Sequence, residues 1–402
     1  MLQGSPAAEL LVVARKASAL MPRSTEVIAL PTMTPGTGRN LTVHRFGKKA
    51  VRPKVYIHAA LHADELPATM VVHHLMPMLE TAEAEGRIRG EIIVVPVANP
   101  IGLNQNLGSY FSGRFDLSTR ENYNRNFPAD WAVVADAVRD RLTEDAEANV
   151  ALIRDAACAY VAEQKPASEL DALRWKLLEL SIDADYVLDL HCAATALVYL
   201  MIYKDCLDIG ARDLSADIGS RASFLIDWYA DKRTFMTTTA SLWSRVREAA
   251  PDFPVPQGLM SCVVEYRGRL DVSDVFGRPD AENLLRFLKR RGVVEGPFDP
   301  PPQALCTPVP VSHMVLVTAP AGGVVAYNKM LGEPIKAGDV VCEIINPLEP
   351  DPARARTPVP APIDGIVFDM RNDHLARPGS VVYRMCSDQP QDRRADQAPQ
   401  DD

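Results

Sequence analysis

The sequence predicts an α/β protein with a mixed, mostly parallel sheet flanked by helices, followed by a small C-terminal all-β domain. The first part is predicted by continuous apolar runs of strand length that alternate with helical patterns. The C-terminal β domain is predicted by a change in the sequence pattern beyond the proline-rich segment 297–302. There the apolar runs become short and are separated by glycines. We therefore expect an α/β domain over residues 1–302, a β domain over 303–387 and a disordered tail over 388–402.

The size and composition are those of an ordinary globular protein. The chain has 402 residues, of which 47% are hydrophobic and 24% charged, enough for a large core. The formal net charge is −9 and no dense stripe of Lys and Arg occurs, so no nucleic-acid partner is expected. No apolar run is long enough to cross a membrane, and the first residues lack a secretory signal pattern. These features predict a cytoplasmic protein.

The cysteine pattern favours free thiols in a reducing compartment. The seven cysteines are scattered, and none lies in a Cys-x-x-Cys pair that would suggest a cysteine-based zinc site. Cys192 is an alternative candidate for a nucleophile, but no activating partner can be identified near it in the sequence.

The first part of the chain contains a hairpin and a strand–helix–strand unit. A helix between two buried strands at this spacing predicts parallel pairing of the strands. In order, the predicted elements are a helix over 7–21, strands over 25–30, 41–46 and 55–59, a helix over 67–83 and a strand over 91–97.

A long polar loop and a helical region follow this unit. The loop over 104–128 is rich in Gly, Ser and Asn, and so long a structureless stretch in a compact domain is usually functional. The pattern over 131–182 is helical with a break near 166–168, where Ser168 is a candidate N-cap. Beyond it we predict strands over 186–191, 197–203 and 261–265 and helices over 214–224 and 280–291.

Residues with the chemistry of metal ligands follow two of the predicted strands. His62 and Glu65 come directly after the strand over 55–59, and His191 ends the strand over 186–191. Open α/β sheets bind ligands at the carboxyl ends of their strands, so these side chains are expected to meet there. Two histidines and one glutamate form a standard ligand set for catalytic zinc, which leaves a fourth position for water. The sequence therefore predicts one zinc ion per chain.

Other residues near this group have competing or supporting roles. His58 is expected to point off its strand, and His73 and His74 lie within the predicted helix over 67–83. Asp189 is expected to orient the site as a hydrogen-bond acceptor for a ligand. The alternative for His191 is a buried histidine bonded to a backbone carbonyl.

A hydrolytic site also needs a base and groups that neutralise negative charge. Glu265 ends a predicted strand and is the candidate base, which would take a proton from metal-bound water and pass it to the leaving amine. The alternative is a carboxylate on a solvated strand edge. Arg114, Arg120 and Arg125 are candidates for binding an oxyanion or a substrate carboxylate, although each could also be a surface arginine. Asn124 would assist Arg125 as a neutral polar contact.

The order of these motifs resembles that of the succinylglutamate desuccinylase/aspartoacylase family, within the zinc carboxypeptidase superfamily. The motifs are, in order, His62-Ala-Asp-Glu65, Asn122-Tyr-Asn124-Arg125-Asn-Phe-Pro128, Asp189-Leu-His191 and Glu265. The resemblance covers about residues 25–385, including the C-terminal β domain.

The resemblance implies a role for each motif. It implies zinc on His62, Glu65 and His191, with Glu265 as the general base. It also implies that Asn124 and Arg125 bind the α-carboxylate of the substrate. Arg114 is similar to the oxyanion arginine of the family, although it lies further from Asn124 in the sequence than in the compact members.

The implied activity is that of an amidohydrolase that removes an acyl group from a small N-acyl amino acid. The acyl group and the amino acid stay open, because the residues that would recognise them cannot be matched. Ala63 stands where the family has glycine. The helical segment over 131–182 is longer than in the compact members and could form a lid or a homo-oligomer contact.

Two other functions are compatible with these residues. A metallocarboxypeptidase would cut peptides and would be distinguished by an open groove, whereas a narrow pocket capped by the C-terminal domain favours small N-acyl amino acids. A non-catalytic binding protein would keep the fold but hold no stoichiometric metal.

The C-terminal segment resembles a barrel-sandwich of the biotinyl/lipoyl type. A carrier domain of this type needs a lysine at a hairpin tip, and no lysine follows Lys336, so a swinging cofactor arm is excluded. We expect this domain to form a wall of the active site or an assembly surface. Its predicted strands cover, in order, 315–317, 322–326, 338–345, 365–368 and 380–383.

Overall fold

The structure is a computed structural model that describes residues 23–32, 34–227 and 233–387. The helix predicted over 7–21 and the disordered tail predicted over 388–402 lie outside these residues.

Within the described residues, strands and helices alternate up to about residue 290, and strands dominate beyond it. The first elements are β1 (Ser24–Ala29), β2 (Asn40–Gly47), β3 (Lys54–Ala59), α1 (Pro67–Ala84), β4 (Glu91–Val95), α2 (Pro100–Leu103), β5 (Asn106–Leu107), β6 (Tyr110–Phe111), α3 (Trp131–Val138), α4 (Ala146–Ala162) and α5 (Glu169–Ser181). The next are β7 (Tyr186–Ala193), β8 (Thr195–Ala196), β9 (Tyr199–Tyr203), α6 (Arg212–Asp217), β10 (Ala222–Ile226), α7 (Phe235–Ala249), β11 (Met260–Gly268), α8 (Asp274–Arg290) and β12 (Val309–Pro310). The last are β13 (Met314–Thr318), β14 (Gly323–Tyr327), β15 (Pro334–Ile335), β16 (Val340–Ile345), β17 (Arg356–Pro360), β18 (Gly365–Met370), β19 (Leu375–Ala376) and β20 (Val381–Cys386).

The main sheet has nine strands in the order β1-β2-β4-β3-β7-β11-β9-β10-β12. Its centre is parallel, because β3 pairs in parallel with β4 and β7, and β7 pairs in parallel with β11. The predicted hairpin of β1 and β2 is antiparallel, as is the pairing of β11 with β9. The predicted mixed, mostly parallel sheet is confirmed.

Side chains of the central strands alternate between two apolar cores. Val55 and Ile57 of β3 pack on one face of the sheet, with α1 and α8. Tyr56, between them in the sequence, packs on the other face with α3, α5 and α7. Both faces are therefore covered by helices, as expected for strands that are continuous apolar runs. No helix in the described part of the chain is long and apolar enough to cross a membrane.

One predicted helix is wrong, and two helices of the described residues, α2 and α7, were not predicted. The segment over 214–224 was expected to be a single helix, but α6 ends at Asp217 and the strand β10 follows. Gly219 has a φ of +68°, a conformation that ends helices, and the apolar residues after it pair with β9 instead. Helix α7 begins at a capping box formed by Thr234 and Thr237.

The helical region over 131–182 contains three helices rather than two. Ser168 caps α5 by accepting a hydrogen bond from the Asp171 backbone N–H, as predicted. A further break separates α3 from α4, and Asp145 caps the start of α4. The loop over 104–128 is mostly irregular and contains the short hairpin of β5 and β6 and an isolated bridge between Phe115 and Asn122.

The C-terminal strands form two small antiparallel sheets around one apolar core. The first has the order β13-β20-β18-β15, and the second has the order β17-β16-β14-β19. Strand β8 pairs with β18, so the first small sheet is joined to the turn that follows β7. The domain limits at residues 302 and 387 stay predictions.

Candidate metal centre and hydrolytic site

His62, Glu65 and His191 meet at the carboxyl ends of two adjacent parallel strands. One nitrogen of each imidazole and one carboxylate oxygen lie within 4.8 Å of one another, and all three residues are buried. His62 and Glu65 lie in the turn between β3 and α1, and His191 lies on β7. The structure therefore brings together the three residues that the sequence predicted as ligands.

The turn that carries His62 and Glu65 is shaped by two close backbone features. Ala60, directly after β3, has a φ of +56°, which turns the chain sharply away from the strand direction. The Ala63 N–H donates to the carbonyl oxygen of Gly113 at 2.9 Å. A Cβ atom at Gly113 would lie 2.4 Å from the Asp64 nitrogen, so only glycine fits against this turn.

Each histidine of the group is oriented by a hydrogen bond at its Nε2. His62 Nε2 lies 2.8 Å from Asn122 Oδ1, and His191 Nε2 lies 2.7 Å from Asp189 Oδ1. The Asn122 oxygen also accepts from the Asn124 backbone N–H at 2.9 Å, which identifies it as an acceptor. An imidazole whose Nε2–H is donated in this way offers the lone pair of Nδ1 to a cation.

Both Nδ1 atoms face the Glu65 carboxylate. His62 Nδ1 lies 3.0 Å from Glu65 Oε1, and His191 Nδ1 lies 2.7 Å from Glu65 Oε2. Two nitrogen donors and one carboxylate, each held by the surrounding protein, match the ligand set of catalytic zinc. The residues present therefore fit a divalent metal ion.

Burial and neighbouring charges shift the pKa values of all three candidate ligands. Burial and the charge of Arg114 lower the pKa of His62 to about 4, so this imidazole is neutral at pH 7. Burial by itself would raise the pKa of Glu65, but His62 and His191 outweigh it and hold that pKa well below its ordinary value. Burial would lower the pKa of His191, but Asp189 and Glu65 raise it well above its ordinary value. Glu65 is therefore ionised at neutral pH, as a metal ligand must be, and a metal ion bound here would displace the proton from His191.

Asp189 links the group to His58, a contact that the sequence did not predict. His58 Nε2 lies 2.6 Å from Asp189 Oδ1, and Tyr56 Oη lies 3.0 Å from His58 Nδ1. We expected the side chain of His58 to point away from the site. It is instead buried, on the same face of the sheet as the site. It is not part of the ligand group. Its contact depends on β3 lying beside β7, and that pairing order could not be derived from the sequence.

The other rival histidines lie on helix α1. His74 Nε2 hydrogen-bonds the Asp274 carboxylate at 2.8 Å, and the ring of His73 stacks edge-on against His74. Neither belongs to the group of candidate ligands.

Glu265 lies beside the ligand group on β11. Its Cα is paired with that of His191 on β7 and with that of Tyr199 on β9. The side chain lines the same cavity as the ligands, and its Oε2 is buried without a hydrogen-bond partner among the described residues. Burial and the nearby charge of Glu65 raise the pKa of Glu265 to about 8. A carboxyl group with a pKa near neutrality is suited to both taking and returning a proton.

The candidate arginines of the polar loop differ in position. Arg114 Nη1 lies 2.8 Å from Glu65 Oε1 and 3.2 Å from His62 Nδ1, directly against the ligand group. Arg125 lines the cavity and donates to the Asn124 carbonyl oxygen at 2.7 Å. Arg120 is exposed and is not among the described residues that line the cavity, so the structure does not bring it to the site.

Asn124 is buried beside His191 and contacts the protein through both atoms of its side-chain amide. Its Oδ1 accepts from the Phe235 backbone N–H at 2.8 Å, at the start of α7. Its Nδ2 lies 3.5 Å from Asp189 Oδ2 and 3.3 Å from His191 Nε2, and the residue lines the cavity.

Cys192 does not have the properties of a nucleophile. Burial and the charge of Glu65 raise its pKa far above the ordinary value for a thiol, so the reactive thiolate is strongly disfavoured. Its backbone N–H donates to Glu65 Oε2 at 3.2 Å, which gives it a structural role. All seven cysteines are free, as the sequence predicted.

The site opens into a cavity of about 430 Å³, a size typical of small-molecule sites. The ligand group, Glu265, Arg114 and Arg125 line this cavity. The C-terminal sheets and the loop after β18 also contribute to its wall, through the residues Asp369, Met370, Arg371, Asn372, Asp373, Val381, Val382, Tyr383 and Arg384.

The comparison with known proteins agrees with these features. Residues 51–160 match the family model of the succinylglutamate desuccinylase/aspartoacylase catalytic domain. The predicted family resemblance is confirmed. This segment contains His62, Glu65, Arg114, Asn124 and Arg125. Members of this family are generally hydrolytic deacylases that act on small acyl amino acids. No curated protein matches the sequence.

Solved structures share the fold over almost the whole described chain. A succinylglutamate desuccinylase/aspartoacylase family protein from Shewanella amazonensis SB2B is 23% identical, with a TM-score of 0.78 over 91% of this chain and 99% of its own. One from Shewanella frigidimarina NCIMB 400 is 21% identical, with the same TM-score over 91% of this chain and 98% of its own. The product-bound ectoine utilization protein EutE (DoeB) from Ruegeria pomeroyi is 15% identical, with a TM-score of 0.62 over 90% of this chain and 94% of its own. These likenesses establish the succinylglutamate desuccinylase/aspartoacylase fold.

Proposed function

We propose that this protein is a zinc-dependent hydrolase that removes the acyl group from an N-acyl amino acid. The observation that carries the proposal is the buried group of His62, Glu65 and His191, which shares one cavity with Glu265. The match to a deacylase family supports the reaction class. The wall contributed by the C-terminal sheets favours a small substrate over a peptide, because it limits the site to a cavity of about 430 Å³.

In this proposal His62, Glu65 and His191 hold one zinc ion. Zinc bound there would supply a Lewis acid that polarises the amide carbonyl and acidifies water. Glu265 accepts the proton that the attacking water releases as the new C–O bond forms. It then returns that proton to the amide nitrogen as the C–N bond breaks, so the products are an amine and a carboxylic acid, which loses its proton to solvent.

The loop over 104–128 is proposed to bind the charged parts of the substrate. Arg114 lies nearest the ligand group and would stabilise the negative charge that develops on the carbonyl oxygen. Arg125 would bind the α-carboxylate, with the side-chain amide of Asn124, which also lines the cavity, as a neutral partner.

Substrate turnover tests this function most simply. We expect hydrolysis of at least one member of a panel of N-acetyl and N-succinyl amino acids. Glu265→Gln should retain zinc but lose about 10²–10⁴-fold in kcat, since proton transfer is removed while the ligands stay. Glu282→Gln, at an exposed position of α8, controls for the loss of a carboxylate as such. Near-normal turnover by Glu265→Gln would remove Glu265 from the proposed role, and no turnover of any amide would contradict the proposed activity.

A further inference from the structure

The face of the sheet that carries the site changes from polar to apolar across β11. Glu265 and Val263 are two residues apart on this strand and therefore lie on the same face. On the β7 side, Val263 is paired with Asp189 and Glu265 with His191. On the β9 side, the residue paired with Val263 is Met201. The polar residues of the site thus end at β11, and an apolar surface begins on the side of β11 that faces β9.

This apolar surface forms part of the cavity. Ile226, Met236 and Val263 form one buried apolar cluster, against which Met201 packs. These four residues line the cavity, and Met314 of β13 lines it with them. We name these five residues the apolar floor. Methionine is flexible and polarisable, so three methionines among five residues suit an apolar ligand group of variable shape.

Three further arginines that line the cavity, besides Arg114 and Arg125, are already paired with carboxylates. Arg269 Nη2 lies 3.1 Å from Asp64 Oδ2, and Arg371 Nη2 lies 2.9 Å from Asp373 Oδ2. The third, Arg384, forms an ion pair with Asp369. A substrate carboxylate on the apolar floor would lose its hydration without gaining an unpaired cation from these three arginines. An apolar group would gain from leaving water there.

We infer that the group which the substrate places beyond Glu265 is apolar. The substrate class is then an N-acyl amino acid with a medium-sized apolar side chain or acyl chain, rather than one with an acidic group at that position. As a statement about the substrate, this rests on the proposed function. As a statement about the cavity, it can be tested by binding alone.

The test measures both binding and turnover with the full-length, zinc-loaded protein. The probes are N-acetyl-L-methionine, with an apolar side chain; N-hexanoylglycine, with an apolar acyl chain; and N-acetyl-L-aspartate, with an acidic side chain. Calorimetry uses Glu265→Gln so that binding is measured without hydrolysis, and turnover uses the unmodified protein. We expect one of the apolar probes to bind at least about tenfold more tightly than N-acetyl-L-aspartate, and to show a kcat/KM higher by a similar factor. Which probe is preferred identifies the apolar group that the floor binds.

A charge placed in the floor should reverse this ranking. Met201→Lys, made in the Glu265→Gln background for binding, should weaken binding of the apolar probe and strengthen that of N-acetyl-L-aspartate. Met330→Lys is the matched control, because Met330 is 77% exposed and is not among the described residues lining the cavity. It should leave the ranking unchanged.

The outcomes separate the two proposals. Turnover of N-acetyl-L-aspartate in preference to both apolar probes would overturn the inference while supporting the deacylase activity. Preferred binding of an apolar probe without turnover of any amide would support the apolar floor and contradict the activity. Equal binding of all three probes, or no binding, would overturn the inference.

Discussion

Asn122 and Asp189 decide which nitrogen of each histidine faces the candidate metal site. Asn122 Oδ1 accepts from His62 Nε2, and Asp189 Oδ1 accepts from His191 Nε2. Loss of such a partner typically weakens metal binding by about 10–100-fold, because the ring can then turn and its basicity falls. The sequence contained Asn122 within a recognised motif, but its contact depends on a loop folding back over the turn after β3.

Asn122→Ala should therefore weaken zinc binding by about 10–100-fold without abolishing the fold. Competition with a chromophoric chelator measures this affinity. Asn328→Ala, at an exposed position directly after β14, is the control and should bind zinc as the unmodified protein does. Unchanged zinc affinity in Asn122→Ala would show that this hydrogen bond does not orient His62.

The raised pKa of Glu265 makes the stability of the metal-free protein depend on pH. Between its ordinary pKa of 4.5 and about 8, folded Glu265 holds a proton that the unfolded chain releases. The free energy of unfolding therefore falls as the pH rises through this window and stays constant above it. Glutamine cannot ionise, so the free energy of unfolding of Glu265→Gln should not show this decrease with pH.

We expect the melting temperature of metal-free Glu265→Gln to exceed that of the metal-free wild type by an amount that grows from pH 5 to pH 8. Scanning calorimetry in the presence of a chelator measures the difference, where each kcal/mol corresponds to about 2–4 °C or less for a chain of this size. Glu282→Gln is again the control for losing a carboxylate. A difference that stays constant with pH would mean that Glu265 ionises in the folded protein as readily as in the unfolded chain.

At the scale of elements, the strands were predicted better than the segments between them. β3, β4 and β7 are buried on both faces, so their apolar runs stand out in the sequence. Helix α7 was missed because Thr237, Thr238 and Thr239 have weak helix propensity, and burial against the sheet overrides it. The role of β10 was missed because its apolar run continues the pattern of α6, and only the turn at Gly219 separates them.

The ligand turn and the polar loop support each other at Gly113. The backbone of Gly113 lies against Ala63 and Asp64, with no room for a Cβ atom. Gly113→Ala should push the loop away from the turn, displace the adjacent Arg114 and weaken zinc binding. The sequence shows a glycine here, but the need for it arises only from the contact between two distant segments.

Zinc affinity and melting temperature measured together test this contact. We expect both to fall in Gly113→Ala, the melting temperature by several degrees if about 1–3 kcal/mol is lost through overpacking. Gly38→Ala is the control, because a Cβ there meets nothing closer than 3.9 Å. A variant indistinguishable from the unmodified protein in both measurements would mean that the loop can shift without disturbing the site.

At the scale of the whole molecule, Phe368 joins the C-terminal sheets to the main sheet. Its buried ring lies 5.1 Å, between ring centroids, from both Tyr199 and Phe224. The Leu197 N–H donates to the Phe368 carbonyl oxygen at 2.9 Å, beside the pairing of β8 with β18. The sequence predicted that the C-terminal β domain could form a wall of the active site. The residues that form the wall could not be predicted, because they depend on how the two parts dock.

Phe368→Ala should loosen this docking and raise KM more than it lowers kcat, since the ligand group lies on the main sheet. Removal of a buried phenylalanine typically costs about 3–5 kcal/mol, so the stability measured by urea denaturation should also fall. Phe298→Ala, at a residue that is 47% exposed, is the control. An unchanged KM together with lowered stability would show that the C-terminal wall does not shape substrate binding.

The central claim, that His62, Glu65 and His191 together hold one metal ion, is tested most directly by the metal content of the full-length protein purified without chelator. Elemental analysis should find one zinc ion per chain in the unmodified protein, in Glu265→Gln and in His73→Ala, whose histidine lies on the exposed side of α1. It should find little or none in His191→Ala. Stoichiometric zinc in His191→Ala, or no stoichiometric metal in the unmodified protein, would contradict the account.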